Sequence, residues 1–246
     1  MTEAQKKGER GRPRSGTNPR PDLSAPEQIL DAAAHLFVER GYSATSTRAI
    51  ADEVGIRQAS LYYHFPRKEQ ILELLLMRTV EPSMIVADYL ETSGFPAAVR
   101  LTALVTFDSR QLFTAPHNVG SLYLLPEVRN GPFEPFRIER SSLRALYARL
   151  ISESIDSRMD AELAGPSDGA PRPSLDYLVD VVFGMVESVI TIRADRSEDD
   201  ATVLTTTIAE SCLRVLGHDR AEIRGVVADA ETLLAEMSGT LGLSAG

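Results

Sequence analysis

The sequence predicts an all-α protein. Three observations carry this reading. Apolar residues recur at helical spacing in segment after segment. No segment shows sustained two-residue alternation bounded by hairpin turns. Ser, Pro and Gly stand where helix starts and stops require them.

Residues 1–22 are rich in Gly, Pro, Arg and Ser and lack apolar periodicity, so they read as a disordered basic arm. Order is expected from Ser24. Ser24-Ala25-Pro26-Glu27 is a capping box with Pro in the first turn. Ile29, Leu30, Ala33, Leu36 and Phe37 follow at helical spacing, and Gly41 ends the helix near Arg40. Ser46 caps a short helix over 47–54 with Ile50, Ala51 and Val54 inward. Gly55 supplies a turn. A second short helix, about 58–64, has Leu61 and Phe65 as apolar anchors before Pro66. A longer helix is predicted from Arg67 or Lys68 to about Thr79, with a break at Pro82.

Beyond it, helices are expected over about 84–93, 96–115, 119–125, 134–163, 174–194, 199–216 and 219–238. The stretch 165–173 reads as a loop, and residues 238–246 as a frayed tail. The expected domains are the arm (1–22), a helix-turn-helix domain (23–69), a body (70–216) and an extra C-terminal helix with its tail (217–246).

The 246 residues carry a net charge of −9, which taken whole argues against a nucleic-acid partner. The charge is unevenly placed. Residues 1–70 sum to +2 and the remainder to −11. A basic arm on an acidic body fits a modular DNA binder, and it also fits a solvated tail on an enzyme. The single cysteine, Cys212, excludes a disulfide framework and fits a reducing cytoplasm. In an apolar helix it reads as inert core. No apolar run is long enough to span a membrane, and no cofactor is implied. P-loop, Rossmann, HExxH and Gly-x-Ser-x-Gly fingerprints are absent, and the four histidines are dispersed.

Residues 46–65 follow the helix-turn-helix plan, in which the second helix enters the major groove. Ala49, Ala51 and Ala59 are small enough for a close crossing. Gln58, Ser60, Tyr62, Tyr63 and His64 offer hydrogen-bonding groups opposite Leu61.

With its flanks, the run Ile29–Leu72 resembles the TetR family of bacterial transcriptional regulators. Gly41-Tyr42, Thr45, Ile50-Ala51, Gly55, Leu61-Tyr62-Tyr63-His64-Phe65 and Lys68-Glu69 stand at that family's spacing. The resemblance implies a three-helix N-terminal DNA-binding domain joined to a larger helical effector-binding and dimerisation domain, in a ligand-responsive homodimeric repressor, activation being the alternative. It would bind a pseudo-palindromic DNA site and be released by a small, largely apolar effector. A helical enzyme and a DNA-independent scaffold are the other readings.

The resemblance also assigns roles. Thr45, Ser46, Thr47 and Arg48 would reach backbone or base edges, with Arg48 suited to guanine. Gln58, Ala59 and Ser60 would face bases, Gln58 suiting adenine and Ala59 a thymine methyl. Tyr62, Tyr63 and His64 would hold phosphates, and Lys68 would clamp one at a helix N-terminus. Arg57 stands where many members carry a capping Ser or Thr, so that cap is missing and Arg57 is free for phosphate. In the arm, Arg10-Gly11-Arg12-Pro13 is identical to an AT-hook core. Arg10, Arg12 and Arg14 would enter an A·T-rich minor groove or attract phosphates generally.

Seven of fifteen aromatics lie between Phe95 and Tyr147. Tyr89, Phe107, Phe113, Tyr123, Phe133 and Met185 are the expected walls of an effector pocket, plain core being the other reading. Arg110, His117, Asn118, Glu127 and Arg137 are possible polar groups for it. In the family's dimer position, Leu178, Val182, Val186 and Val189 on one helix and Leu204 and Ile208 on the next are the expected interface.

Overall fold

The computed structural model describes residues 23–162, 174–196 and 200–242, and among them there is no strand. The arm arginines Arg10, Arg12 and Arg14 and the loop at 165–173 lie outside the described residues. The chain divides into two compact units, one up to Ile71 and one from Leu72.

The first unit holds α1 (Ala25–Arg40), α2 (Thr47–Val54), α3 (Gln58–His64) and the start of α4 (Lys68–Met77). Ser24 caps α1 by accepting from the Glu27 amide at 3.4 Å, with Pro in the first turn. Ile29, Leu30, Ala33, Leu36 and Phe37 are all essentially inaccessible. Ile50, Ala51 and Leu61 join them from α2 and α3. Ala49 is half-buried and Ala59 exposed, so of the three alanines only Ala51 lies fully inside the crossing.

The second unit holds α5 (Glu81–Thr92), α6 (Ala97–Thr114), a 3-10 segment (Pro116–Leu124), α7 (Pro126–Asn130), α8 (Glu134–Glu162), α9 (Leu175–Asp195), α10 (Ala201–Val215) and α11 (Arg220–Leu241). Helix α6 is central and packs against α5, α8, α9, α10 and α11. Val99, Leu101, Ala103, Leu104, Val105 and Leu112 bury its full circumference, as expected of a helix enclosed by others.

Several boundaries differ from expectation. The break expected at Pro82 lies between Met77 and Glu81, and Pro82 itself falls in the first turn of α5, which needs no proline N–H. Helix α11 continues to Leu241 and ends on Gly242, so the fraying expected from residue 238 does not begin there. Its Asp219 accepts from the amides of Ala221 and Glu222 at 2.7 and 2.9 Å, and Glu222 returns a bond to the Asp219 amide. Ile223, Ala230, Leu233, Leu234 and Met237 bury it against α6 and α10, making it part of the second unit's core.

The expected helix at 119–125 is a 3-10 segment starting at Pro116, and α7 follows it. His117 and Asn118 occupy left-handed backbone there, at φ 58° and 50°. The Asn118 amide donates to the Ile190 carbonyl at 3.0 Å and ties the segment to α9. Arg137 donates to the carbonyls of Val128 and Gly131 at 3.2 and 2.9 Å, tying α7 to α8.

Expected dimer residues are used differently. Leu178, Val182, Val186, Val189 and Ile208 are buried within their own chain, and Leu204 is half-buried. The wide apolar face of α9 serves the interior of its domain, packed on α6 and α8.

Two glycines in this unit should respond oppositely to substitution. A Cβ on Gly131 would collide with the Glu127 carbonyl oxygen, whereas one on Gly184, inside α9, meets nothing within 4 Å. Gly131→Ala is expected to cost about 1–3 kcal/mol and Gly184→Ala to stabilise by up to about 1 kcal/mol, read by denaturant unfolding. Equal effects would contradict the packing.

Candidate nucleic-acid interface and internal cavities

Helix α2 starts where Ser46 accepts from the Ala49 amide at 3.1 Å. It ends at Gly55, whose left-handed backbone (φ 74°) lets its N–H and that of Ile56 turn back onto the last carbonyls of α2. The chain is thereby redirected into α3. As the missing cap predicts, Arg57 at the N-cap makes no side-chain capping bond, and its side chain is exposed. Leu61 is fully buried and Phe65 nearly so. The opposite face presents Ala59, Ser60, Tyr62 and Tyr63, the last 84% exposed, with His64 edge-on to Tyr63.

Three polar side chains on this face bind one another. Gln58 Nε2 donates to Thr47 Oγ1 at 3.0 Å and approaches the Tyr62 hydroxyl at 3.5 Å, while Thr47 and Tyr62 share a bond of 3.0 Å. The amide N–H of Gln58 is thus engaged, and its carbonyl oxygen remains to accept from a base amino group. A two-bond contact with adenine requires the amide to leave Thr47 and Tyr62. Arg48 makes only a loose, exposed pair with Asp52 at 3.9 Å, an arrangement of little energetic weight.

Two expected contacts are turned inward. Thr45 is 2% exposed, and its hydroxyl bonds the carbonyls of Leu36 and Gly41 at 3.1 and 2.9 Å. Lys68 Nζ donates to the carbonyls of Tyr42 and Thr45 at 2.8 and 2.9 Å and lies 4.1 Å from the Tyr42 ring centroid. Both residues hold the turn between α1 and α2, because its carbonyls lack helical partners. The exposed cation beside α4 is instead Arg67, which sequence reasoning passed over. Its signal was available: a basic residue directly before a helix start.

Among the described residues, two half-open cavities lie in the second unit. The inner one, about 30 Å³, is lined by Thr79, Ser83, Asp108, Gln111, Tyr123 and apolar neighbours. The outer one, about 480 Å³, is lined by Leu124, Val128, Phe136, Arg137, Ile190 and others. Tyr123, Arg140 and Glu187 line both. Of the expected pocket walls only Tyr123 lines these cavities. Phe113 and Phe133 are buried core, Phe107, Tyr89 and Met185 are half-buried elsewhere, and Met185 Sδ lies 3.7 Å from Cys212 Sγ. Aromatic residues fill this interior where they pack best, and the cavities form beside the irregular 3-10 segment. Of the polar groups suggested by the sequence, Arg137 lines the outer of these two cavities and the other four line neither.

Burial pushes the Asp108 carboxyl from its usual 3.8 up to about 6, against the pull of the Ser83 and Tyr147 hydroxyls. Burial likewise pushes the Cys212 thiol up to about 12. Among the described residues no helix is long and apolar enough to cross a membrane.

A helix-turn-helix with an exposed polar face, joined to a larger helical domain, defines a DNA-binding regulator. Residues 29–75 match the family model "Bacterial regulatory proteins, tetR family". The transcriptional repressor KstR2 of Mycolicibacterium smegmatis is 45% identical over 178 residues, covering 68% of this chain and 77% of that protein. KstR2 of Rhodococcus jostii is 28% identical over 189 residues, covering 77% and 87%. The crystal structure of Mycobacterium smegmatis AmtR superposes with a TM-score of 0.73 at 43% identity, covering 92% of this chain and 99% of that one. The chain belongs to the TetR family: it is a DNA-binding transcriptional regulator and not an enzyme.

Lys68 and Arg67 should separate stability from DNA affinity. Lys68→Met takes the ammonium donor from the Thr45 carbonyl and one of two donors from the Tyr42 carbonyl, and is expected to cost about 1–3 kcal/mol of unfolding free energy. Arg67→Ala should leave thermal unfolding unchanged and flatten the salt dependence of DNA binding by about one phosphate contact. The reverse pattern would contradict the assignment.

Asp108 carries a signed pH dependence. Its folded-state pKa lies above the unfolded one, so its contribution is fully present below about pH 4 and is lost as pH rises through about 6. The loss is about 3 kcal/mol. Asp108→Asn should therefore be more stable than the parent at pH 8, with the difference vanishing near pH 4. A constant difference across that range would contradict this.

Proposed function

We propose that two copies of this chain occupy a pseudo-palindromic operator and repress the adjacent genes until a small molecule binds the second unit. The single observation that carries the DNA half is the outward face of α3, polar and aromatic, opposite fully buried Leu61. Gln58, Ala59 and Ser60 would meet base edges. Arg48, Arg57, Arg67, Ser46 and the hydroxyl of Tyr63 would hold the backbone. Thr47 and Tyr62 would orient Gln58. The arm arginines Arg10, Arg12 and Arg14 would add minor-groove or phosphate contacts.

The dimer half rests on residues that the chain leaves uncovered. On α9, Tyr177 and Val181 are 70% and 44% exposed, one turn apart. On α10, Val203 is 65% exposed, with Thr207 also exposed one turn on. These stripes face away from the residues first assigned to the interface, and two copies would bury them in a four-helix contact. Such a dimer presents two α3 helices to half-sites about 34–36 Å or a multiple apart.

The effector half rests on the cavities. The inner one touches Thr79 and Val80, the turn between α4 and α5. Gln111 Nε2 donates to the Thr79 carbonyl at 2.8 Å. A ligand that moved Gln111 would disturb the end of α4, the helix whose other end carries Lys68 and its bonds to Tyr42 and Thr45. A coupling of about 1–3 kcal/mol would shift operator affinity about 5–150-fold.

Selection of bound DNA from a random pool tests this reading. A two-fold symmetric site is expected, and an asymmetric or sequence-independent pool would sink it. Val181→Glu combined with Val203→Glu should give a monomer by light scattering that binds the selected site at least about a hundredfold more weakly.

A further inference from the structure

The inner cavity has an unusual chemical balance. The Tyr147 hydroxyl donates to Asp108 Oδ2 at 2.7 Å and the Ser83 hydroxyl lies near enough to favour the carboxylate, while no full hydrogen bond reaches Asp108 Oδ1. Gln111 Nε2 is spent on Thr79, and Gln111 Oε1 has no partner either. Two buried acceptors are thus left unsatisfied on one cavity wall. A buried acceptor without a donor costs about 1–3 kcal/mol, and more when charged. The cationic neighbour does not relieve them. Arg140 is bound to Glu187 at 2.5 Å, and the three charged side chains lining the cavity sum to −1.

Size narrows the occupant further. A water needs about 10–15 Å³ measured with a water-sized sphere, so about 30 Å³ admits a group of one or two heavy atoms and no ring. The adjoining outer cavity, about 480 Å³, lies within the range of ordinary ligand pockets. The outer cavity adds Arg129 and Arg137, so the negative charge is confined to the inner end and positive charge lines the outer one.

Resting on the effector reading above, we propose that the ligand is a primary amine: its ammonium group seats against Asp108 and Gln111 in the inner cavity, and its larger, partly apolar body fills the outer one. An ammonium brings three donors and one positive charge to two empty acceptors and one excess negative charge. Tyr123, Arg140 and Glu187 form the neck between head and body. The same contacts explain why Asp108, which weakens the fold above pH 6, stands in the middle of the central helix. Its carboxylate is completed by the ligand.

The test uses the full-length protein with n-octylamine and octanoate as probes, by calorimetry at pH 8. Octylamine should bind saturably and octanoate at least about tenfold more weakly, the weight of one charge-assisted hydrogen bond. Asp108→Asn, which should fold more stably than the parent, is expected to lower octylamine affinity at least about tenfold. Gln111→Leu is expected to lower it by a smaller factor. Binding of neither probe, equal binding of both, or an Asp108→Asn protein with unchanged octylamine affinity overturns the proposal; the last two would leave a water as the inner cavity's occupant. Operator release separates the two readings. Octylamine bound through Asp108 with unchanged operator affinity would fail the effector reading and leave the ligand class standing. Release by octanoate and not by octylamine would do the opposite.

Discussion

Helix α3 is too short to be a helix by itself. It has seven residues, and isolated helices below about 12–15 residues are marginal in water. It lacks a side-chain cap at Arg57 as well. What holds it is the burial of Leu61 and Phe65 against a core built by α1 and α2. That anchoring fixes its rotation, and the rotation decides which residues face outward. Tyr63, Ser60 and Ala59 are exposed because Leu61 is not. The turn feeding α2 depends in the same way on Thr45 and Lys68, whose side chains hold the carbonyls of Gly41, Tyr42 and Thr45 beyond the end of α1. A surface able to read DNA is therefore a consequence of interior packing.

The second unit is organised around the opposite problem. Its central helix is enclosed on every side, yet it carries Asp108 at full burial. Hydrophobic burial along α6 tolerates the expense, and the carboxyl is placed beside a cavity instead of beside a countercharge. Violations of the packing rule of this kind cluster at functional sites. Asp108 lies one helical turn from Gln111, whose amide reaches Thr79 at the end of α4. The cavity proposed to take the ligand and the turn after α4 are thus linked by one side chain.

The sequence made the local elements readable and the long-range ones not. Ser46, Gly55 and Leu61 announce α2, the turn and α3, because caps, turns and anchors act over three or four residues. Lys68 misled for a reason of distance: its partners Tyr42 and Thr45 lie 26 and 23 residues away. Basic residues at helix starts resemble phosphate clamps until the tertiary fold shows a nearer acceptor. Helix α9 misled through its own richness. Apolar on most sides, it offers no pattern that divides its residues between core and partner, and only packing shows Val182 inside and Val181 outside. The cavities were hidden because their walls come from the 3-10 segment, α6, α8 and α9 together, an assembly that no helical periodicity encodes.

The central claim is that the outer face of α3 reads base edges while the surrounding residues hold the backbone. The most direct measurement compares the DNA selected by the parent protein with that selected by Gln58→Ala. The account predicts a changed preference at one position in each half-site, the same position in both, with every other position retained. A loss of affinity spread evenly over all sequences, with the selected site unchanged, would contradict it.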